Sequence, residues 1–169
     1  IVPYLLWFVY IAIGVLYFFF HNKNEYYKLC IFLITGMTVF LIVSTVYPNG
    51  TNLRPMIFER SNLFVDAVKA LYATDTPTNI FPSIHVYNSL AIHIAVSRNE
   101  LLKKKRYIIH ASRVMMMSII LATVFLKQHS MFDVITAFAL AGFMYLLLYT
   151  PAWLKEFKQQ FNTSKEIKM

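Results

Sequence analysis

Residues 107–149 read YIIHASRVMMMSIILATVFLKQHSMFDVITAFALAGFMYLLLY, and the fold turns on this stretch. Its two apolar runs, 107–126 and 131–149, each match the roughly 20 residues that a helix needs to cross about 30 Å of hydrocarbon. Only Lys127, Gln128, His129 and Ser130 stand between them. So short a link predicts two antiparallel membrane helices, with polar side chains held at the turn.

The same length test, carried outward, finds two further spans at 2–20 and 29–47. A fifth run, 83–97, is shorter and carries His85, Asn88 and His93. It can span only with its polar end at the interface or inside a bundle. The one long connection, 48–82, holds Asn49-Gly50 and Arg54-Pro55 as turn signals. Within it Leu63, Phe64, Ala67, Val68 and Leu71 recur at helical spacing. They predict an amphipathic helix over 61–72 lying on the membrane surface, with Ser61 as its N-cap. The expectation is an all-α, polytopic transmembrane bundle of five spans with a surface helix in its long loop. It forms a single membrane-embedded domain over 1–169 that ends in a basic tail, 151–169.

Composition agrees with the bilayer as solvent. The 169 residues are 58% hydrophobic and 14% charged, with a mean hydropathy of +0.54, which is too apolar for an ordinary soluble domain. The net charge of +8 falls beside the spans, where lysine and arginine act as cytoplasmic anchors, so nucleic acid is not expected as a partner. Cys30, the single cysteine, lies in an apolar run and excludes an intramolecular disulfide. Trp7, Tyr47 and Trp153 fit interfacial belts.

Lysine and arginine in the connections set the orientation. Eleven lie in 21–28, 98–106 and the tail from 155 onward, against four on the other side: Arg54, Arg60, Lys69 and Lys127. The first side is read as cytoplasmic. With that topology Arg54, Ser83, His85, Lys127, His129 and Asp133 meet at one outer edge, although they come from three parts of the chain. Polar groups beside hydrocarbon are costly, so such a gathering marks a candidate site.

His129 and Asp133 are four apart, and Ser130 can cap the helix that follows, which puts both side chains in its first turn on one face. A carboxylate there can orient the imidazole and leave its other nitrogen free to attack an electrophile. The bland alternative for this pair is a helix cap without chemistry. Pro82-Ser83-Ile84-His85 reads as a helix start whose free N–H groups attract anions, with the Ser83 hydroxyl as a further donor. The guanidinium of Arg54 suits bidentate contact with phosphate oxygens. His93, His110 and Arg113 lie toward the cytoplasmic side and read as packing or snorkelling groups.

Taken together, the segment from Tyr47 to Pro55 ending Arg54-Pro55, Pro82-Ser83-Ile84-His85, and His129-Ser130-Met131-Phe132-Asp133 resemble, in order and spacing, the three-part signature of the phosphatidic acid phosphatase type 2 superfamily. The resemblance covers nearly the whole chain. It implies His129 as nucleophile, Asp133 as its orienting partner and His85 as the acid for the leaving oxygen. It further implies Arg54, Ser83 and nearby backbone as the phosphate cradle, and a lipid phosphate as substrate. Many members have lysine at the place of Tyr47 and Ser-Arg at that of Ala122-Thr123. Tyr47 and Lys127 are therefore the candidate replacements among the phosphate-binding residues. Tyr-Pro and Lys-Gln-His versions resemble the inositol phosphorylceramide synthase branch, whose reaction passes a head group to an alcohol. Hydrolysis, transfer to an alcohol and non-catalytic lipid binding are the functions left open. A small-solute transporter fits less well, because its site belongs near the midplane at broken helices. No carboxylate cluster suggests a metal, and no cofactor is expected. Six spans are usual in the family, so a further helix before Ile1 is expected.

Overall fold

The computed structural model describes residues 1–55 and 57–149; the basic tail expected over 151–169, with Trp153, lies outside the described residues. Among these the chain forms seven helices: α1 (Val2–His21), α2 (Lys23–Val46), α3 (Leu63–Thr74), α4 (Ile84–Arg98), α5 (Glu100–Lys103), α6 (Arg106–Phe125) and α7 (Met131–Tyr149). No strand occurs among them, only an isolated bridge between Gly50 and Thr78. Helices α1, α2, α6 and α7 are long and apolar enough to cross a membrane.

Two helix boundaries differ from the sequence expectation, for local reasons. Helix α2 begins at Lys23 and not at 29, because the Asn22 side chain accepts the Glu25 N–H at 3.2 Å and caps a polar first turn. Glu25 then favours the positive end of the helix. Helix α3 begins at Leu63, capped by Asn62 and not by Ser61: Asn62 Oδ1 accepts the Val65 N–H at 3.0 Å. By contrast, α7 runs over 131–149 as its apolar pattern predicts.

The short helix α4 is the centre of the molecule. It packs against α1, α2, α6 and α7, and Val86 to Ile92, Ala95 and Val96 are buried. At 15 residues it rises only about 22 Å, less than the hydrocarbon thickness. Neighbouring helices and its own backbone take up several of its polar groups, while Asn88 Oδ1 is buried without a hydrogen-bond partner among the described residues. Tyr87 Oη donates to the Phe32 carbonyl at 2.9 Å, and Ser89 Oγ to the His85 carbonyl at 2.6 Å. His93 Nδ1 lies 3.1 Å from Ser112 Oγ, which also contacts Tyr10 Oη at 2.7 Å. His93 is thus a packing histidine that joins α4 to α6 and α1. Close approach of α2 depends on Gly36, where a Cβ would run into the Tyr87 ring; small residues at such crossings let helices meet in lipid, where no hydrophobic force drives them together. The outer faces of α1, α2 and α7 stay apolar and exposed, as at Phe8, Ile34 and Phe132, and hydrocarbon is the solvent that suits them.

Candidate active site

At the end of the bundle where α2 and α6 finish and α4 and α7 start, a cavity of about 180 Å³ is lined by Phe40, Ile84, His85, Gln128, His129 and the loop 75–80. Arg54, Ser83 and Asp133 adjoin residues of this lining but are not part of it, and local backbone chemistry holds the helix ends around the cavity. Ser83, fully buried, caps α4: its Oγ accepts the Val86 N–H at 3.4 Å. Its own N–H donates to the Asp133 carbonyl at 3.4 Å, which ties the start of α4 to the first turn of α7. Pro82 stands just before the cap, joined to Phe81 by a cis peptide bond.

The link from α6 to α7 is equally ordered. The Gln128 and His129 N–H groups both donate to the Thr123 carbonyl, at 3.0 and 3.3 Å, and Lys127 takes a left-handed conformation with φ of 53°. This closes the helix and turns the chain inward. As a result Gln128 and His129 are buried, while the Lys127 side chain is exposed and does not line the cavity. Tyr47, the C-cap of α2, is exposed as well and lies outside the lining.

His129 lies with its ring centroid 5.8 Å from that of His85. His85 is gripped by α1: Tyr4 stacks on it at 4.6 Å and Trp7 leans against it at 4.4 Å, centroid to centroid. Asp133 behaves differently from the sequence expectation. Its Oδ2 accepts the Ser130 N–H at 2.7 Å, and the Asp133 N–H donates to Ser130 Oγ at 3.3 Å, a reciprocal capping box. The same Oδ2 lies 3.9 Å from His129 Nδ1, close enough for charge interaction but too far for a hydrogen bond. The cap and the oriented imidazole thus compete for one oxygen.

Arg54 reaches the site from the long loop. Its guanidinium stacks on the Tyr72 ring at 4.6 Å. It donates to the carbonyls of Tyr72 and Asp75, at 3.4 and 2.5 Å, and to Gln128 Oε1 beside the nucleophile candidate. Tyr72 in turn donates to the Leu126 carbonyl at 2.7 Å, fastening α3 to the end of α6. Arg54 Nε, Gln128 Nε2 and His129 Nδ1 are buried with no hydrogen-bond partner among the described residues. Burial pushes the His129 imidazole below its ordinary value, with the Asp133 carboxylate acting against it.

Four contributors escaped the sequence reading. Asn49 Oδ1 accepts the N–H groups of Ile80 and Phe81 at 2.8 and 3.0 Å, clamping the loop wall; the Asn49-Gly50 pair signalled a turn and nothing more. Asp75 lines the cavity and accepts the Tyr4 hydroxyl at 3.0 Å, and only its place before Thr76-Pro77 could have drawn attention. Tyr4 looked like an ordinary aromatic residue of a span, and Trp7 like a member of an interfacial belt. Among the described residues no group of three or more His, Cys, Asp or Glu could hold a metal ion. No family model, no curated protein and no solved structure matches this chain.

Proposed function

We propose that this chain is an integral-membrane enzyme that cleaves a phosphate monoester or diphosphate of a lipid through a phosphohistidine intermediate. The reading rests on the pairing of His85 with His129 at a small cavity, beside a guanidinium fixed by three acceptors. The three unpartnered buried polar atoms there, Arg54 Nε, Gln128 Nε2 and His129 Nδ1, would be expensive unless oxygen ligands meet them during function.

In the first step an imidazole nitrogen of His129 attacks phosphorus, and the bond from phosphorus to the leaving oxygen breaks. His85, protonated, passes its proton to that oxygen. In the second step His85 takes a proton from water, the water oxygen attacks phosphorus, the N–P bond breaks, and His129 is restored. An alcohol in place of water gives transfer of the phosphorylated group to that alcohol. Arg54 and the Ser83 hydroxyl neutralise and position the phosphate oxygens, which is most of what phosphoryl transfer requires of a protein. Asp133 holds the α7 cap and steadies the imidazolium by charge.

In this reading five helices span the bilayer. Helix α4 is the fifth span, made short because its polar end belongs at the interface. Helix α3 lies on the outer surface, the cavity opens to the extracytoplasmic side, and the tail is cytoplasmic, in keeping with the lysine and arginine bias. The resemblance to the phosphatidic acid phosphatase type 2 superfamily supports the same assignment. The test is release of phosphate or head group from a panel of lipid phosphates by the purified protein, compared with His129→Ala and His85→Ala. Turnover lost in both variants supports it; turnover equal to wild type in either one sinks it.

A further inference from the structure

A second cavity, of about 370 Å³, lies toward the end of the bundle where α1 finishes and α6 starts, and it shares no lining residue with the cavity that holds His129. It is a groove between Ile13 and Tyr17 of α1 and Ile108 and Met115 of α6, floored by Ile92 and Val96 of α4. The floor is buried, whereas Ile13 and Ala111 of the lining are exposed, so the groove opens sideways on the face that hydrocarbon covers. Buried Leu102 of α5 completes the lining. Tyr10 Oη and Ser112 Oγ are spent on each other at 2.7 Å, and His93 Nδ1 lies 3.1 Å from the same Ser112 oxygen. An apolar cavity of this kind stays dry and takes hydrocarbon in preference to a polar ligand.

Charge stands at the end of this groove. Between Leu102 and Ile108, both in the lining, the sequence runs Lys103-Lys104-Lys105-Arg106-Tyr107. These cations do not line the groove; they stand beyond it, at the start of α6, where the head group of a lipid lies when its chain is inside. Lys103 is paired with Glu100 at 2.5 Å. Lys104, Lys105 and Arg106 are exposed, and among the described residues no carboxylate forms a salt bridge with them. Three uncompensated cations beside a hydrocarbon groove suit a lipid with an anionic head group. From Ile108 to Met115 α6 rises about 10 Å, a length that holds part of one acyl chain. We propose that the groove between α1 and α6 binds an acyl chain of an anionic phospholipid from the leaflet opposite the candidate active site, with Lys104, Lys105 and Arg106 holding its head group. Binding there needs no turnover at His129.

Photolabelling tests it. Purified wild-type protein is placed in phosphatidylcholine nanodiscs with a trace of phosphatidylglycerol or of phosphatidylcholine that carries a diazirine midway along one acyl chain, and the crosslinks are mapped by mass spectrometry. Phosphatidylglycerol should label Met115, inside the groove, at least about fivefold more than phosphatidylcholine does, the worth of one basic residue near an anionic head group. It should also label Met115 more than Ile34, an exposed residue on the outer face of α2. Replacing all three cations, Lys104→Gln, Lys105→Gln and Arg106→Gln, should bring phosphatidylglycerol down to the level of phosphatidylcholine. Ala111→Trp, which fills the groove from an exposed position, should remove the Met115 label with both lipids. Labels spread evenly over the outer faces, equal labelling of Met115 by the two lipids in the wild type, or an Ala111→Trp pattern unchanged from wild type would overturn the proposal. A sterol that displaces the phosphatidylglycerol label from Met115 would overturn it too, by making a ring system the occupant. If the triple variant does not fold, the wild-type contrast and Ala111→Trp decide.

Discussion

The imidazoles of His85 and His129 face each other at 5.8 Å between ring centroids, tilted by 55°, although one opens a helix and the other sits in the link between two. Neither ring owes its place to packing of its own helix alone. His85 is wedged by Tyr4 and Trp7 of α1, and His129 is set by the reversal at Lys127. The two should therefore be separable from folding. His129→Ala should reduce turnover at least about 10³-fold by removing the nucleophile, and His85→Ala about 10²- to 10⁴-fold by removing the acid. Both variants should elute from size exclusion in detergent as the wild type does. A kinetic comparison at matched protein yield checks this.

The pH dependence follows from the burial of His129. Its imidazole is held below the ordinary value, so in the free enzyme the neutral, attacking form persists to more acidic solution than a free histidine would allow. The acid limb of kcat/KM should lie below pH ~6.5. Stability has the matching sign: as pH falls through about 6.5 the unfolded chain binds a proton that folded His129 resists, so folding weakens there. His129→Gln should lose less Tm than the wild type between pH 7 and 5. An equal loss in both would contradict the assignment.

Lys127 and Arg54 should differ sharply as phosphate ligands. Arg54 is fixed beside the nucleophile by Gln128 and two carbonyls, whereas Lys127 is exposed and serves the turn with its backbone. Arg54→Ala should cost about 10²-fold in kcat/KM, the usual loss for one preorganised donor. Lys127→Gly keeps the left-handed turn, relieves about 1 kcal/mol of its backbone cost, and should change turnover less than about threefold. A loss for Lys127→Gly as large as that for Arg54→Ala would restore the lysine to the phosphate site.

The contrast between these two cations shows what was legible in the sequence. The apolar period of α7 foretold that helix, and the places of His85, His129 and Asp133 beside the spans foretold one shared end of the bundle, because span length and helix direction alone decide which residues lie at which end; the short α6–α7 link does not pack those two helices together, since each packs on α4. Which way a side chain leaves a turn was not legible. The left-handed φ of Lys127 sends His129 inward and Lys127 outward, and no composition rule predicts that of a lysine. The competition at Asp133 was hidden for a related reason: a carboxylate three residues after serine and four after histidine can serve either. Asp75 and Tyr4 meet only through the packing of α1 against the long loop.

Orientation can be read in intact cells by labelling single cysteines with a reagent that does not cross the membrane, in a Cys30→Ala background. Asn52→Cys in the long loop should be modified and Lys104→Cys, beside α5, should be spared, as the lysine and arginine bias requires. Both residues are exposed, so accessibility to the reagent depends on sidedness. The reverse labelling pattern would put the cavity on the cytoplasmic side.

The central claim is that phosphorus is carried on His129. Purified protein is incubated with phosphatidic acid and with phosphatidylglycerol, quenched in alkali and mapped by mass spectrometry. The account predicts an added phosphoryl mass on the peptide bearing His129 when phosphatidic acid is turned over, or a glycerophosphoryl mass when phosphatidylglycerol is turned over with diacylglycerol leaving, and neither in His129→Ala. Turnover without that adduct, or an adduct that persists in His129→Ala, would contradict it.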